Sequence, residues 1–271
     1  NVDEYFEKGP DERKVIFDRF NFNIFKELNE IFSKKELKEL NKLNENYQKR
    51  IKKLSTVILK KEFERLTIEL SWKSSQIEGN TYSLIDTEIL IKENKEAKGH
   101  KKEEAIMILN HKKALNYILA NKNDFKKINL RKLENVHSIL VDKLNVFKGI
   151  RKRIVGIIGA KYKPLDNEFQ IKEVLEKTLE LANNLKDPFS KALILILLIS
   201  YIQPFEDGNK RTSRLIGNAV FLANNICPLS YRSINEADYK KAIILFYEQN
   251  NIKFFKELFV NQFQFAVENY F

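Results

Sequence analysis

Residues 192–225 read ALILILLISYIQPFEDGNKRTSRLIGNAVFLANN. The opening run, Ala192 to Ile202, is apolar on every helical face and far shorter than the roughly 20 residues of a bilayer span, so it predicts a buried core helix. The closing run from Thr212 spaces its apolar residues three and four apart, the period of a second, amphipathic helix. Between them lies a loop from Gln203 to Asn209, whose last residues sit at a helix N-terminus. Free N–H groups and the positive end of the macrodipole favour an anion there. Gly208 lets backbone approach a ligand closely, and Asn209 adds a side-chain donor. Asp207 is suited to hold Mg²⁺ against phosphate oxygens, because that ion usually takes one or two protein carboxylates. Arg211 and Arg214, three apart, project from neighbouring helix positions and could clamp outer phosphates. The plainer reading is a glycine-punctuated helix connection with two surface arginines; it accounts for each residue singly but not for their combination.

Working outward, helical periodicity dominates. With only 8 glycines and 5 prolines in 271 residues, the composition predicts an all-α fold. From Val15 to Leu90 the pattern is helical, beginning with VIFDRFNFNIFKELNEIF at 15–32; Ser33 with Glu36 has the form of a capping box. Two or three helices are expected before residue 73. Gly79 and Asn80 end one helix, Ser83 or Asp86 begins another, and ENKEAKGHKKEE (93–104) reads as a loop. Residues 105–119 and 128–144 predict two more amphipathic helices, and helical patterns resume from residue 171 to the end. The exception is GIRKRIVGIIGAKYKP (149–164), whose glycines, β-branched run and closing proline predict two short strands of a hairpin.

The net charge is +11, from 48 basic and 37 acidic residues. The lysines are spread along the chain with acids among them, which describes a solvated surface better than a dedicated nucleic-acid face. The one cysteine, Cys227, can form no internal disulfide and no metal cluster, and a reducing cytoplasm with no membrane span is expected.

The stretch PFEDGNKRTSR (204–214) resembles the signature of the Fic (Fido) family, HxFx(D/E)GN(G/K)RxxR. Upstream, SSQIEGN (74–80) is similar to that family's inhibitory-helix motif, (S/T)xxxE(G/N), and residues 149–164 occupy the place of its β-hairpin flap. His137 in ENVHSIL fits the helix that precedes the flap. The resemblance implies an N-terminal helical region, residues 1–95, with an inhibitory helix at about 66–79, and a Fic core over 96–271. It implies transfer of AMP from ATP, with Mg²⁺, to a Ser, Thr or Tyr hydroxyl of a protein docked on the flap. On this pattern Phe205 anchors the loop, Asp207 binds Mg²⁺, Gly208 and Asn209 form the anion hole, and Lys210, Arg211 and Arg214 lie along the phosphates. Ser74 and Glu78 share a helix face, and Glu78 would pair with Arg214 and deny it to the γ-phosphate.

Two positions depart from the pattern. Gln203 stands where the family has the histidine that deprotonates the attacking hydroxyl, and an amide cannot be that base. Lys210 replaces the commoner glycine, as in the Doc toxins, where lysine accompanies kinase activity. Glu206 is expected to point away from Gln203, and His100, His111 and His137 are not placed beside the loop by any sequence signal. Three functions stay open: an adenylyltransferase impaired or altered by Gln203, a nucleotide-binding pseudoenzyme that regulates an active relative, and, on charge alone, a nucleic-acid-binding helical protein.

Overall fold

The computed structural model describes residues 1–28 and 30–271. Among these residues the chain forms α1 (Val2–Glu7), α2 (Ile24–Glu27), α3 (Lys34–Ile51), α4 (Thr56–Ile77), α5 (Leu84–Glu93) and α6 (Lys102–Ala120). After a 3-10 turn at Lys122–Lys126 come α7 (Leu130–Leu140), α8 (Glu168–Asn184), α9 (Pro188–Ile202), α10 (Asn209–Ala223), α11 (Glu236–Gln249) and α12 (Lys253–Asn269). No helix among the described residues is long and apolar enough to cross a membrane.

Short polar residues set most starts. Ser33 and Glu36 form a reciprocal capping box on α3, and the Ser83 hydroxyl accepts from the Asp86 amide, so Ser83 is the cap of α5. Asp187 caps α9, with Pro188 in its first turn, where a missing N–H is harmless. Every side chain from Ala192 to Ile199 is fully buried, and α8, α10 and α11 pack around this helix. Against α10 the approach is close: a Cβ on Gly217 would lie 2.7 Å from Ile196 Cδ1. The helix α10 is itself buried, with α4, α6 and α7 on its other sides. One core joins Leu66, Leu70 and Ile77 of α4 to the side chains of α9 and α10, across the expected boundary at residue 95.

Two expectations are corrected. Of the helical pattern at 15–32, only Ile24–Glu27 is helical among the described residues; residue 29 lies outside them. The stretch before it docks in extended form, because the Glu248 carbonyl at the end of α11 accepts from the amides of Ile16 and Phe17, and Lys163 N donates to Asp18 O. Tertiary partners here outweigh a weak propensity in a run interrupted by Asp18, Asn21 and Asn23. The expected hairpin at 149–164 likewise forms no ladder. Its limbs bond elsewhere: Arg151 N donates to Pro204 O, the Arg151 guanidinium to the carbonyls of Gln203, Arg153 and Leu165, and Lys163 makes an isolated bridge with Arg19. What remains is a flap with a turn closed by Ala160 N on Ile157 O.

Candidate functional site

The loop after α9 is shaped by its own side chains. Gln203 ends α9 in the left-handed region at φ 52°. Its Nε2 donates to Ser200 O at 2.7 Å, and its Oε1 accepts from Asn209 Nδ2 at 3.0 Å. Asn209 in turn accepts from Phe205 N at 2.8 Å and donates to Phe205 O at 2.8 Å. Both amide hydrogens of Asn209 are therefore engaged, and the side-chain donor expected for a ligand is given over to holding the loop. Phe205 is fully buried and stacks on His137, with ring centroids 3.7 Å apart. The His137 Nε2–H donates to Asp207 O at 2.9 Å, which fixes the tautomer, and burial holds this imidazole down at about pKa 4. Gly208 has φ +81°, and a Cβ there would lie 3.2 Å from Val141 Cγ1, so this position both needs glycine's backbone freedom and lacks room.

Charged groups fan out from this turn. The Asp207 side chain is 65% exposed and meets Arg211 Nη2 at 3.2 Å. Arg211 is buried, and its Nε and Nη1 have no hydrogen-bond partner, so burial lowers its pKa. Arg214 is sealed inside, in the pairing with Glu78 that the spacing of Ser74 and Glu78 leads us to expect. Its Nε donates to Ser74 Oγ, its Nη2 to Ser74 O and to Glu78 Oε1, each at 2.9 Å, and its guanidinium lies 5.2 Å from the Tyr239 ring. Glu78 Oε2 also pairs with Lys210 Nζ at 3.0 Å. Burial alone would raise the Glu78 carboxyl, but Arg214 and Lys210 outweigh it and hold the carboxyl at about pKa 2.

These groups border a cleft of about 390 Å³. It is lined by the loop and the first turn of α10, by Ile77–Gly79 at the end of α4, and by Val155–Ile158 of the flap. Ser74, Phe205 and Arg214 stand behind the lining. Glu206, expected to point away from Gln203, contributes to the lining and has Arg153 at 3.9 Å as its ion-pair partner. The remaining side was missed in the sequence: Lys240, Ile243, Ile244 and Tyr247 of α11. Their spacing of three, four and seven marks one helix face, a signal that says which residues go together but not what they face. His111 sits behind the arginines, 3.3 Å from Ser71 Oγ; burial, with Arg214 and Arg211 nearby, lowers it to about pKa 3. His100 is remote, bonded to Thr81 and packed on Tyr82.

No group of three or more metal-ligating residues occurs among the described residues. Asp207 offers a single accessible carboxylate, a donor set that suits Mg²⁺ only when phosphates complete its shell.

A helix N-terminus, a buried arginine with unpartnered N–H groups and one exposed carboxylate meet in a single cleft, a donor set with the chemistry to receive an anion. The Fic/DOC family model matches residues 127–221, the stretch that holds α7 to α10 and the loop between α9 and α10. Among curated proteins it is 29% identical over 177 residues to "Protein adenylyltransferase Fic" of Culex quinquefasciatus, covering 63% of this chain and 35% of that one. It is 23% identical over 170 residues to "Protein adenylyltransferase fic-1" of Caenorhabditis elegans, covering 60% of this chain and 33% of that one. The chain thus spans about a third of the length of these relatives. Among solved structures, a Fic family protein from Desulfovibrio desulfuricans G20 superposes with a TM-score of 0.71 at 19% identity, covering 88% of this chain and 74% of that one. Residues 134–508 of C. elegans Fic-1 give 0.69 at 18%, covering 86% and 69%. At these identities the likeness establishes the all-α Fic fold.

Proposed function

We propose that the cleft binds ATP with Mg²⁺ and that the chain transfers AMP to a hydroxyl of a protein docked on the flap, at a rate cut by Gln203. The observation that carries this reading is Arg211, a buried guanidinium whose Nε and Nη1 lack partners in the lining of an open cleft. Such groups are costly to leave unmet, and phosphate oxygens would satisfy them. The relatives named as protein adenylyltransferases supply the reaction class. The first-turn amides of α10 receive phosphate oxygens at the macrodipole's positive end, and Lys210 and Arg211 add charge. Asp207 would hold Mg²⁺, which when bound neutralises phosphate charge. In the transfer, the target oxygen bonds to the α-phosphorus while the bond to pyrophosphate breaks, and the hydroxyl proton must leave. Gln203, with its amide tied at both ends, cannot accept that proton, so the proton goes to water and about 10²–10⁴ in rate is lost.

In this reading residues 1–95 restrain a Fic core of residues 96–271. The last turns of α4 supply Ser74 and Glu78, which keep Arg214 from the γ-phosphate. A chain with one free, buried thiol, Cys227, suits the reducing cytoplasm. The same tied amide of Gln203 also favours a second reading, a nucleotide-binding pseudoenzyme that regulates an active relative. Labelling with α-phosphate-labelled ATP separates the two. The first expects faint transfer to a target protein that strengthens in Gln203→His, and the second expects ATP binding with none in either form. Calorimetry showing no Mg²⁺-dependent ATP binding would overturn both.

A further inference from the structure

The flap has a composition unlike the rest of the chain. Residues 152–163 read KRIVGIIGAKYK, four cations and no acid. Val155, Ile157 and Ile158 line the cleft, Ile158 fully exposed at its edge, and Ile154 is 78% exposed. Phe169, at the start of α8, is 81% exposed. An isoleucine wholly in water is stabilised when a partner covers it. The cations are equally unanswered. Lys152 and Arg153 have counter-ions only at 4.0 and 3.9 Å, in Glu168 and Glu206, and Lys161 and Lys163 enter no ion pair among the described residues. The backbone is open too: from Lys152 to Gly159 no amide N–H has a protein partner among the described residues.

An extended chain satisfies such a row of amides by strand addition, and that contact reads little sequence. The side chains around it supply the discrimination. Resting on the function proposed above, we infer that the segment docked here is an extended protein stretch with an apolar side chain for Ile154 and Ile158, flanked by aspartates or glutamates that meet Arg153, Lys161 and Lys163. Opposite charge at this rim steers encounter and fixes register, and a basic flank meets like charge.

The test uses the full chain and three labelled peptides with one apolar, threonine-centred core flanked by glutamates, serines or lysines, read by fluorescence anisotropy at low salt. The glutamate-flanked peptide is expected to bind about tenfold more tightly than the lysine-flanked one. The double variant Lys161→Glu with Lys163→Glu, whose side chains point into solvent, should reverse that order, and Ile158→Asp should weaken all three. Equal binding of the three peptides, an order unmoved by charge reversal, or no binding up to about 1 mM overturns the proposal. Tighter binding of single-stranded DNA or of phosphatidylserine vesicles than of the glutamate-flanked peptide overturns it in favour of those partners. ATP titration of the same samples separates the two ideas: nucleotide binding without peptide discrimination refutes the docking chemistry alone, and discrimination without nucleotide binding refutes the proposed function alone.

Discussion

Glu78 holds two cations at once, Arg214 through one oxygen and Lys210 through the other. Removing it leaves Arg214 buried beside Ser74 with its carboxylate gone, and breaking a buried pair in this way costs about 3–5 kcal/mol before Ser74 offsets part of it. Glu78→Gly is therefore expected to lower the melting temperature of the free protein. It should also enlarge the melting shift produced by Mg²⁺-ATP, because a γ-phosphate can then take the carboxylate's place at Arg214. An unchanged shift in thermal melts with and without nucleotide would remove Glu78 from any restraining role. For activity, Gln203→His with Glu78→Gly is expected to label a target more strongly than Gln203→His alone, and equal labelling counts against the restraint. The meeting of Glu78 and Arg214 could be read from the spacing of Ser74 and Glu78 together with the family resemblance. The grip of His137 on Asp207 could not, since the two are 70 residues apart and no pattern links them.

Most helices were legible because their starts carry side-chain caps and their faces carry a period, as at Ser33 and Ser83. The exceptions are segments whose backbone is satisfied by other parts of the chain. Residues 16–18 lean on Glu248 and Lys163, and the flap is tied down by Arg151, so the period and β-branching of these stretches misled. Side-chain proximity between α9 and α10 was also hidden, and it sets the next expectation. Alanine at position 217 would gain about 1 kcal/mol of helix propensity over glycine. Its Cβ would stand 2.7 Å from Ile196 Cδ1 and 2.9 Å from Ile196 Cγ1, in a core where that side chain has no free space. Overpacking of this kind costs about 1–3 kcal/mol. Gly217→Ala is expected to lower the urea midpoint with an unchanged m-value, whereas a raised midpoint would mean that α9 and α10 slide apart freely.

Across the whole molecule the polar groups buried behind the cleft couple folding to pH, a property of three helices meeting that no single motif announces. His111 of α6 faces Ser71 of α4 and the charges of Arg211 and Arg214 on α10. Burial, then the two arginines, lower its pKa from an ordinary 6.5 to about 3, so the folded state holds this ring neutral. Because the folded pKa lies below the unfolded one, the unfolded chain binds the extra proton between these values. Stability from this group is complete above pH 6.5 and drains as pH falls toward 3, by roughly 1 kcal/mol per pH unit. Glu78 acts in a lower window: its contribution is present above about 4.5 and is lost as pH falls through about 2. Between pH 6.5 and 5 the slope therefore reports buried histidine rather than the carboxylate. Urea unfolding across that range should show falling stability in the unsubstituted chain and a shallower slope in His111→Gln, which keeps a hydrogen-bonding side chain but cannot titrate. Parallel slopes for the two proteins would mean that His111 is protonated, or solvated, in the folded state.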